Sequence, residues 1–229
     1  QRDINIALVN ELAQIFPELD LDVEDVLSAA ATKWNFHRYT PGIGVGGHCI
    51  PVDPYYMMQR AQEVGAPAEL ITAARAVNRM MPRHVSVVLS DILYRSGIPA
   101  NEGKILFLGW SYKPGVGDAR ETPAEPLALS LVASGIEVSV WDPYLSKTDF
   151  PEEVEVLSNL TDHEGFDMVV LVTAHKECIE LDWPSLLSRM RTPILYDGRR
   201  VLDLEQMDAM GWISNAVGSP RVSIKDVKE

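Results

Sequence analysis

Apolar positions in the first part of the chain recur at the three- and four-residue spacing of an amphipathic helix. The first apolar stripe is formed by Ile4, Leu8, Leu12 and Ile15. Pro17 should end this helix, because proline cannot donate the hydrogen bond that continues a helix. The stretch begins without an N-cap residue, which predicts that further residues precede it in the native protein.

Three more helical segments are predicted, over residues 22–32, 55–64 and 67–96. Asp22 is a residue type favoured as an N-cap. Pro82 should mark a break in the third segment or the first turn of a new helix. The sequence therefore predicts a mainly helical region over residues 1–96.

The pattern changes after the turn-rich segment at residues 97–103. Short apolar runs typical of buried strands lie at residues 104–109, 136–141, 168–173 and 193–197. Helical patterns lie at residues 123–134 and 183–190. This alternation predicts an α/β fold with a Rossmann-like parallel sheet. We therefore expect two domains, the helical region at 1–96 and an α/β domain at 97–229.

A glycine-rich loop, residues 41–54, interrupts the helical region. Four glycines within six residues precede Cys49, and Asp53 follows it. A bare backbone that brings a cysteine close to a ligand, with a carboxylate nearby, is typical of covalent catalysis. Two alternatives are a buried, inert cysteine and a metal site that includes His48. The ligand spacing does not suit a tetrahedral site, so we predict no metal.

Composition narrows the functional classes. The net charge of −13 disfavours nonspecific binding to nucleic acid. No run of eighteen apolar residues predicts a membrane span, and the polar first residues do not resemble a signal peptide. Two cysteines form no disulfide framework, so we expect a cytoplasmic protein in which Cys178 is structural. The charged tail at 225–229 is predicted to be mobile.

Four motifs resemble one known family. They are Gly46-Gly47-His48-Cys49 with Asp53, Tyr112-Lys113-Pro114 with residues 118–123, Asp142-Pro143, and residues 197–202. In order and spacing the chain is similar to the nucleotide-sugar 6-dehydrogenases of the UDP-glucose/GDP-mannose dehydrogenase family. The form of the motif around Cys49 is more similar to members that act on UDP-N-acetylhexosamines, UDP-N-acetylmannosamine in particular, than to those that act on UDP-glucose.

The resemblance implies a three-part protein, of which this chain would be the last two parts. These are a central helical dimerisation region and a C-terminal UDP-sugar-binding domain. The N-terminal NAD-binding domain, with a catalytic lysine and asparagine, would lie upstream of Gln1. The resemblance thus implies NAD as cofactor, a UDP-N-acetylhexosamine as substrate, and a homodimer or higher homo-oligomer.

The implied reaction is the four-electron oxidation of the sugar C6 alcohol to a carboxylate, for polysaccharide or glycan precursor synthesis. Cys49 would form a thiohemiacetal and then a thioester. Asp53 would position or activate water, the alternative being a turn residue before Pro54.

The resemblance also implies contacts with substrate and cofactor. The substrate-binding residues would be Arg2, Gly46, Tyr112, Lys113 and Arg199. Arg120 would contact NAD, the alternative being a salt bridge to Asp118 or Glu121. The cationic residues would otherwise be solvated surface charges.

Two other functions remain open on the sequence. The first is a nucleotide-sugar-binding or dimerisation module without turnover. The second is another thiol enzyme, such as a hydrolase, which would need His48 or His37 as a base near Cys49. His175 is interpreted as an ordinary polar loop residue.

Overall fold

A computed structural model describes residues 1–220 of the 229-residue chain. The tail at 225–229 lies outside the described residues. The first part of the chain is helical, as predicted. Its α-helices are α1 (Arg2–Ile15), α2 (Val23–Ala30), α3 (Asp53–Glu63) and α4 (Glu69–Arg95). The side chain of Asp22 caps α2 by accepting a hydrogen bond from the Glu24 amide at 2.7 Å.

The buried face of α1 differs from the apolar stripe read in the sequence. Leu8 and Ile15 of that stripe are exposed. The buried residues of α1 are Asp3, Ala7, Val9, Asn10 and Ala13. Small side chains let α1 lie close to α4, and the two polar residues find hydrogen-bond partners there. Close packing and pairing, rather than side-chain hydropathy, therefore select the buried face.

Helix α4 runs through Pro82 without a break, so the predicted break was wrong. An internal proline costs a helix about 3 kcal/mol. Pro82 is itself buried, and α4 also buries Val85, Leu89 and Leu93. Burial of several large apolar side chains outweighs the cost of one proline.

Beyond residue 103, strands and helices alternate. The strands are β1 (Lys104–Leu108), β2 (Glu137–Trp141), β3 (Glu155–Val156), β4 (Phe166–Leu171), β5 (Met190–Asp197) and β6 (Ile213–Ala216). The helices are α5 (Ala124–Ala133), α6 (Lys176–Ile179), α7 (Trp183–Leu187) and α8 (Leu204–Met210). Within residues 1–220 the strands form one parallel sheet in the order β3-β2-β1-β4-β5-β6. The predicted α/β fold with a Rossmann-like sheet is confirmed.

The two outer strands are absent from the sequence prediction. Strand β3 has only two residues, and β6 carries Ser214 and Asn215 in place of an apolar run. Both polar residues of β6 are buried by their tertiary environment. Pairing with β5 defines β6 as a strand, with Tyr196 opposite Asn215.

The two faces of the sheet bury separate apolar clusters. One cluster contains Phe107 of β1 together with Leu89 of α4 and Leu127 of α5. The other contains Leu106 together with Trp183 and Met207 of the helices on the opposite face. The first cluster extends to α1 and α2, so the helical region and the sheet share one core. This shared core fixes the glycine-rich loop relative to the sheet.

Candidate functional site

Three loops and the start of α1 meet beyond the carboxyl ends of the strands and line a cleft of about 430 Å³. The three loops are the glycine-rich loop, the loop after β1 and the loop after β5. Doubly wound sheets bind ligands at this edge. The lining includes six residues singled out in the sequence: Arg2, Gly46, Cys49, Tyr112, Lys113 and Arg199. The remaining two predicted site residues, Asp53 and Arg120, do not line the cleft.

The glycines let the glycine-rich loop pack directly on the loop after β1. A Cβ at Gly46 would lie 2.7 Å from the Glu121 carbonyl oxygen and 2.7 Å from Tyr112 Cβ. Gly47 has φ +91° and donates its amide to the Arg120 carbonyl at 3.1 Å. Contact within the chain therefore requires glycine at both positions.

Cys49 is exposed, which excludes the buried alternative for this residue. Its carbonyl accepts hydrogen bonds from the amides of Val52 at 3.1 Å and Asp53 at 2.8 Å. This turn leads into α3, whose first residue is Asp53. Asp53 is exposed, follows Cys49 by four residues, and does not line the cleft. Cys178, by contrast, is buried, and desolvation raises the pKa of its thiol.

A buried ion pair joins α1 to α4 beneath the glycine-rich loop. Arg75 Nε donates to Asp3 at 2.7 Å, and a second guanidinium nitrogen also bonds this carboxylate. The third guanidinium nitrogen donates to the Pro51 carbonyl at 3.2 Å. Arg75 and Asp3 are 4% and 6% exposed. One side chain therefore holds both α1 and the end of the loop that carries Cys49.

Two asparagines extend this connection to the start of the loop. Asn78 donates to Asp3 at 2.8 Å and accepts from Asn10 at 2.9 Å. Asn10 Oδ1 in turn accepts from the Gly42 amide at 3.0 Å. Asn10 and Asn78 are buried. We call Asp3, Asn10, Arg75 and Asn78 the loop clamp, because they bind both ends of the glycine-rich loop.

A second buried pair holds the loop after β1. His175 and Asp142 are both buried, and His175 Nε2 lies 3.1 Å from the Asp142 carboxylate. His175 Nδ1 accepts the Gly115 amide at 3.0 Å, so the ring proton is on Nε2. The interpretation of His175 as an ordinary loop residue was therefore wrong. Its ring links the loop that carries Tyr112 and Lys113 to the end of β2.

The same carboxylate accepts several hydrogen bonds from that loop. Trp110 and Ser111 donate their amides to Asp142 at 2.7 and 2.9 Å. Burial by itself would raise the pKa of Asp142, but the hydrogen bonds from His175, Ser111 and Tyr144 lower it to about 2. Asp142 is therefore a charged anchor for this edge of the cleft.

Asp197 plays the equivalent part at the end of β5. Its carboxylate accepts the amides of Arg199, Val201 and Leu202 at 2.8, 2.7 and 2.8 Å. These bonds fix the loop that places Arg199 beside Gly42. Burial lowers the pKa of Arg199, and the Asp197 carboxylate opposes that shift.

Residues 1–80 match the central domain of the UDP-glucose/GDP-mannose dehydrogenase family, and residues 106–204 match the UDP binding domain of the same family. The chain belongs to this family. Both matched regions line the cleft. Cys49 belongs to the first region, and Lys113 and Arg199 belong to the second.

Individual family members show the same similarity. The chain is 37% identical over 210 residues to a UDP-N-acetyl-D-glucosamine 6-dehydrogenase of Pseudomonas aeruginosa, covering 91% of this chain and 50% of that protein. The structure of a UDP-N-acetyl-mannosamine dehydrogenase of Pyrococcus horikoshii superimposes with a TM-score of 0.82 at 33% identity, covering 96% of this chain and 50% of that one. The structure of an NDP-N-acetyl-D-galactosaminuronic acid dehydrogenase of Methanosarcina mazei gives 0.84 at 27% identity, covering 96% and 48%. The chain thus spans about half the length of these family members.

Arg120 of this family member forms the salt bridge that the sequence offered as an alternative. Its Nε and Nη2 lie 2.9 and 2.6 Å from the two oxygens of Asp118. The hydrogen bond from Arg120 lowers the pKa of Asp118 to about 2. The hydrogen bond to Asp118 in turn raises the pKa of Arg120. The Arg120 carbonyl accepts the Gly47 amide at 3.1 Å, so Arg120 borders the glycine-rich loop.

The loop clamp and the burial of His175 were not expected from the sequence. The signal for the clamp is present in α1 and α4. Asp3 and Asn10 lie seven residues apart, and Arg75 and Asn78 three apart, so each pair shares one helix face. Polar residues on the same face as buried alanines mark a paired network.

Over residues 1–220, no helix has the length and apolar content needed to cross a membrane.

Proposed function

We propose that this chain is the part of an NAD-dependent nucleotide-sugar 6-dehydrogenase that binds the UDP-sugar and supplies the cysteine nucleophile. The proposed substrate is a UDP-N-acetylhexosamine, with UDP-N-acetylmannosamine first among the candidates. The product is the corresponding uronate, a precursor for polysaccharide or glycan synthesis. The observation that carries the proposal is one cleft in which the exposed Cys49 lies among three cationic side chains.

The charge of the cleft suits a diphosphate. Arg2 comes from α1, Lys113 from the loop after β1, and Arg199 from the loop after β5. The chain has 33 acidic residues, yet no aspartate or glutamate of the described residues lines this cleft. Guanidinium groups bind phosphate oxygens in pairs. A UDP-sugar with its diphosphate among these cations would bring its sugar towards Cys49.

The sheet itself does not fit a dinucleotide. Where a pyrophosphate cradle would need bare glycine backbone, Trp110 is fully buried and the Ser111 amide is bonded to Asp142. The exposed Arg120, whose carbonyl accepts the Gly47 amide of the glycine-rich loop, fits a contact with NAD held by another part of the protein. When bound, NAD would supply the hydride acceptor for each of the two oxidations at C6.

Cys49 provides the covalent step between the two oxidations. Its thiolate adds to the C6 aldehyde carbon, a C–S bond forms, and the carbonyl oxygen takes up a proton to give a thiohemiacetal. Loss of the second hydride from C6 and of the hydroxyl proton gives a thioester. Water adds to the thioester carbon, the C–S bond breaks, and Cys49 leaves as a thiolate. Asp53, the first residue of α3 and four residues after Cys49, is proposed to accept the proton of that water.

Exposed apolar residues support a homodimer or a higher homo-oligomer. Leu8 and Ile15 of α1 are 56% and 46% exposed, and Leu19 after it is 61% exposed. Such a group of exposed apolar side chains is typical of a contact surface.

The two unpaired cysteines agree with the proposed cytoplasmic location.

The test uses the whole protein that contains this chain, incubated with NAD and with UDP-N-acetylmannosamine, UDP-N-acetylglucosamine or UDP-glucose. We expect two NADH for each uronate formed, and a UDP-N-acetylhexosamine as the best substrate. Cys49→Ala should lower uronate formation roughly 1000-fold, whereas Cys178→Ala should keep most of the activity. UDP-sugar binding without NADH formation would favour the binding module. Full activity of the Cys49→Ala variant would exclude Cys49 as the nucleophile.

A further inference from the structure

We infer that the loop clamp positions Cys49 and Arg2 relative to each other, beyond its contribution to stability. This inference rests on the proposed function, because it assigns the clamp to the same cleft. The four clamp residues are at most 6% exposed and do not line the cleft. They are therefore positioning residues and do not touch the substrate.

The clamp binds the glycine-rich loop on both sides of the nucleophile. Asn10 holds the loop at Gly42, seven residues before Cys49. Arg75 holds it at Pro51, two residues after Cys49. Because the loop between these points contains several glycines, its own backbone conformation is weakly restricted. Fixing its two ends is the direct way to fix the thiol in space.

The same clamp fixes the cationic end of α1. Asp3 accepts from both Arg75 and Asn78, and it directly follows Arg2, which lines the cleft. A shift of α1 along α4 would thus move Arg2 and the loop end at Gly42 together. The distance between Arg2 and Cys49 is therefore fixed. A substrate whose diphosphate binds the cations and whose reacting carbon meets Cys49 requires such a fixed distance.

A network of buried polar groups is a costly way to obtain stability alone. Apolar side chains of similar volume often give equal or greater stability than a buried ion pair. A fully satisfied polar network, however, has one geometry in which every donor and acceptor is paired. Displacement of a reacting group by about 1 Å can reduce a rate about 100-fold. The geometry of the clamp therefore matters most for the chemistry of the loop.

The test compares two clamp variants with a matched control in the whole protein. Asn10→Ala removes the bond to Gly42. Arg75→Lys keeps a positive charge for Asp3, so that the fold is retained, but lacks the further guanidinium nitrogen that donates to the Pro51 carbonyl. Ser86→Ala is the control, since Ser86 is buried on the same helix and hydrogen-bonds Ser130 of α5, away from the loop.

Three quantities are measured for each variant: kcat and KM for uronate formation, the rate of Cys49 alkylation by iodoacetamide read by peptide mass spectrometry, and the melting temperature. We expect both clamp variants to lose about 10- to 100-fold in kcat/KM, mainly in kcat. Their Cys49 alkylation rates should change at least about threefold, because the thiol is held differently. Ser86→Ala should keep kcat/KM and the Cys49 alkylation rate within about twofold of wild type. Its melting temperature should fall by about as much as that of the clamp variants.

The inference is overturned if the clamp variants lose stability as the control does but keep wild-type kcat/KM and Cys49 alkylation. Alkylation needs neither NAD nor a UDP-sugar. If wild-type protein forms no uronate while only the clamp variants show altered alkylation, the proposed function fails and the clamp stands.

Discussion

His175 and Asp142 form a buried pair in which His175 Nε2 and an Asp142 carboxylate oxygen lie 3.1 Å apart. The other ring nitrogen of His175 accepts the Gly115 amide, and Asp142 also accepts the Trp110 amide. The pair therefore joins three strand ends, those of β1, β2 and β4, through hydrogen bonds alone. It gives the loop with Tyr112 and Lys113 a fixed base under the cleft.

Asp142 should make stability depend on acid pH. Its pKa is about 2 in the folded chain against an ordinary 3.8, so its contribution is present above about pH 4 and is lost as the pH falls from 3.8 towards 2. The difference corresponds to about 2 kcal/mol. Urea unfolding between pH 5 and 2.5 should show a steeper decline in the free energy of unfolding for wild type than for Asp142→Asn. Asp25→Asn, an exposed carboxylate in α2, should retain the wild-type slope.

Gly46→Ala should destabilise the chain by about 1–3 kcal/mol, because the new methyl group would overlap the Glu121 carbonyl and Tyr112. Gly42→Ala is the matched control within the same loop. Its Cβ would lie at an ordinary 3.4 Å from the nearest atom, on Arg199, and should change the free energy of unfolding by less than about 1 kcal/mol. Thermal unfolding followed by circular dichroism measures both. Equal stability of the two variants would contradict the packing of Gly46 described above.

Arg199→Lys should weaken UDP binding about 10-fold, since lysine cannot pair two phosphate oxygens through one planar group. Isothermal titration of the chain with UDP measures this directly. Arg191→Lys is the control, because Arg191 pairs with Asp167 near the amino end of β4. That end lies at the edge of the sheet opposite the cleft. Unchanged UDP affinity in Arg199→Lys would remove Arg199 from the binding residues.

Asp118 should titrate near pH 2, and Arg120→Gln should return its pKa towards the ordinary 3.8. The cause is the paired hydrogen bond from the Arg120 guanidinium to both carboxylate oxygens. Carbon-detected NMR of the aspartate side chains, titrated from pH 5 to 1.5, resolves the two values. Asp149 serves as an internal reference, because its pKa is lowered by Ser146 and should not respond to Arg120→Gln.

Local sequence determined much of this protein. The apolar runs around Phe107 and Val170 predict buried parallel strands because strands buried on both faces need apolar side chains throughout. The N-cap at Asp22 follows from the chemistry of its own side chain and was observed as expected. The motifs that resemble the family contain Cys49, Lys113 and Arg199, and the fold brings these three residues into one cleft.

Tertiary structure alone decided which groups support that cleft. Leu8 was expected inside and is exposed, whereas Asn10 is buried, because α4 offers Asn78 as a partner for an amide and closer packing to small residues. His175 is buried because Asp142 and Gly115 arrive from positions 33 and 60 residues earlier in the chain. Local periodicity cannot encode a partner that distant, since a buried polar group is stable only once the fold has brought its hydrogen-bond partners to it.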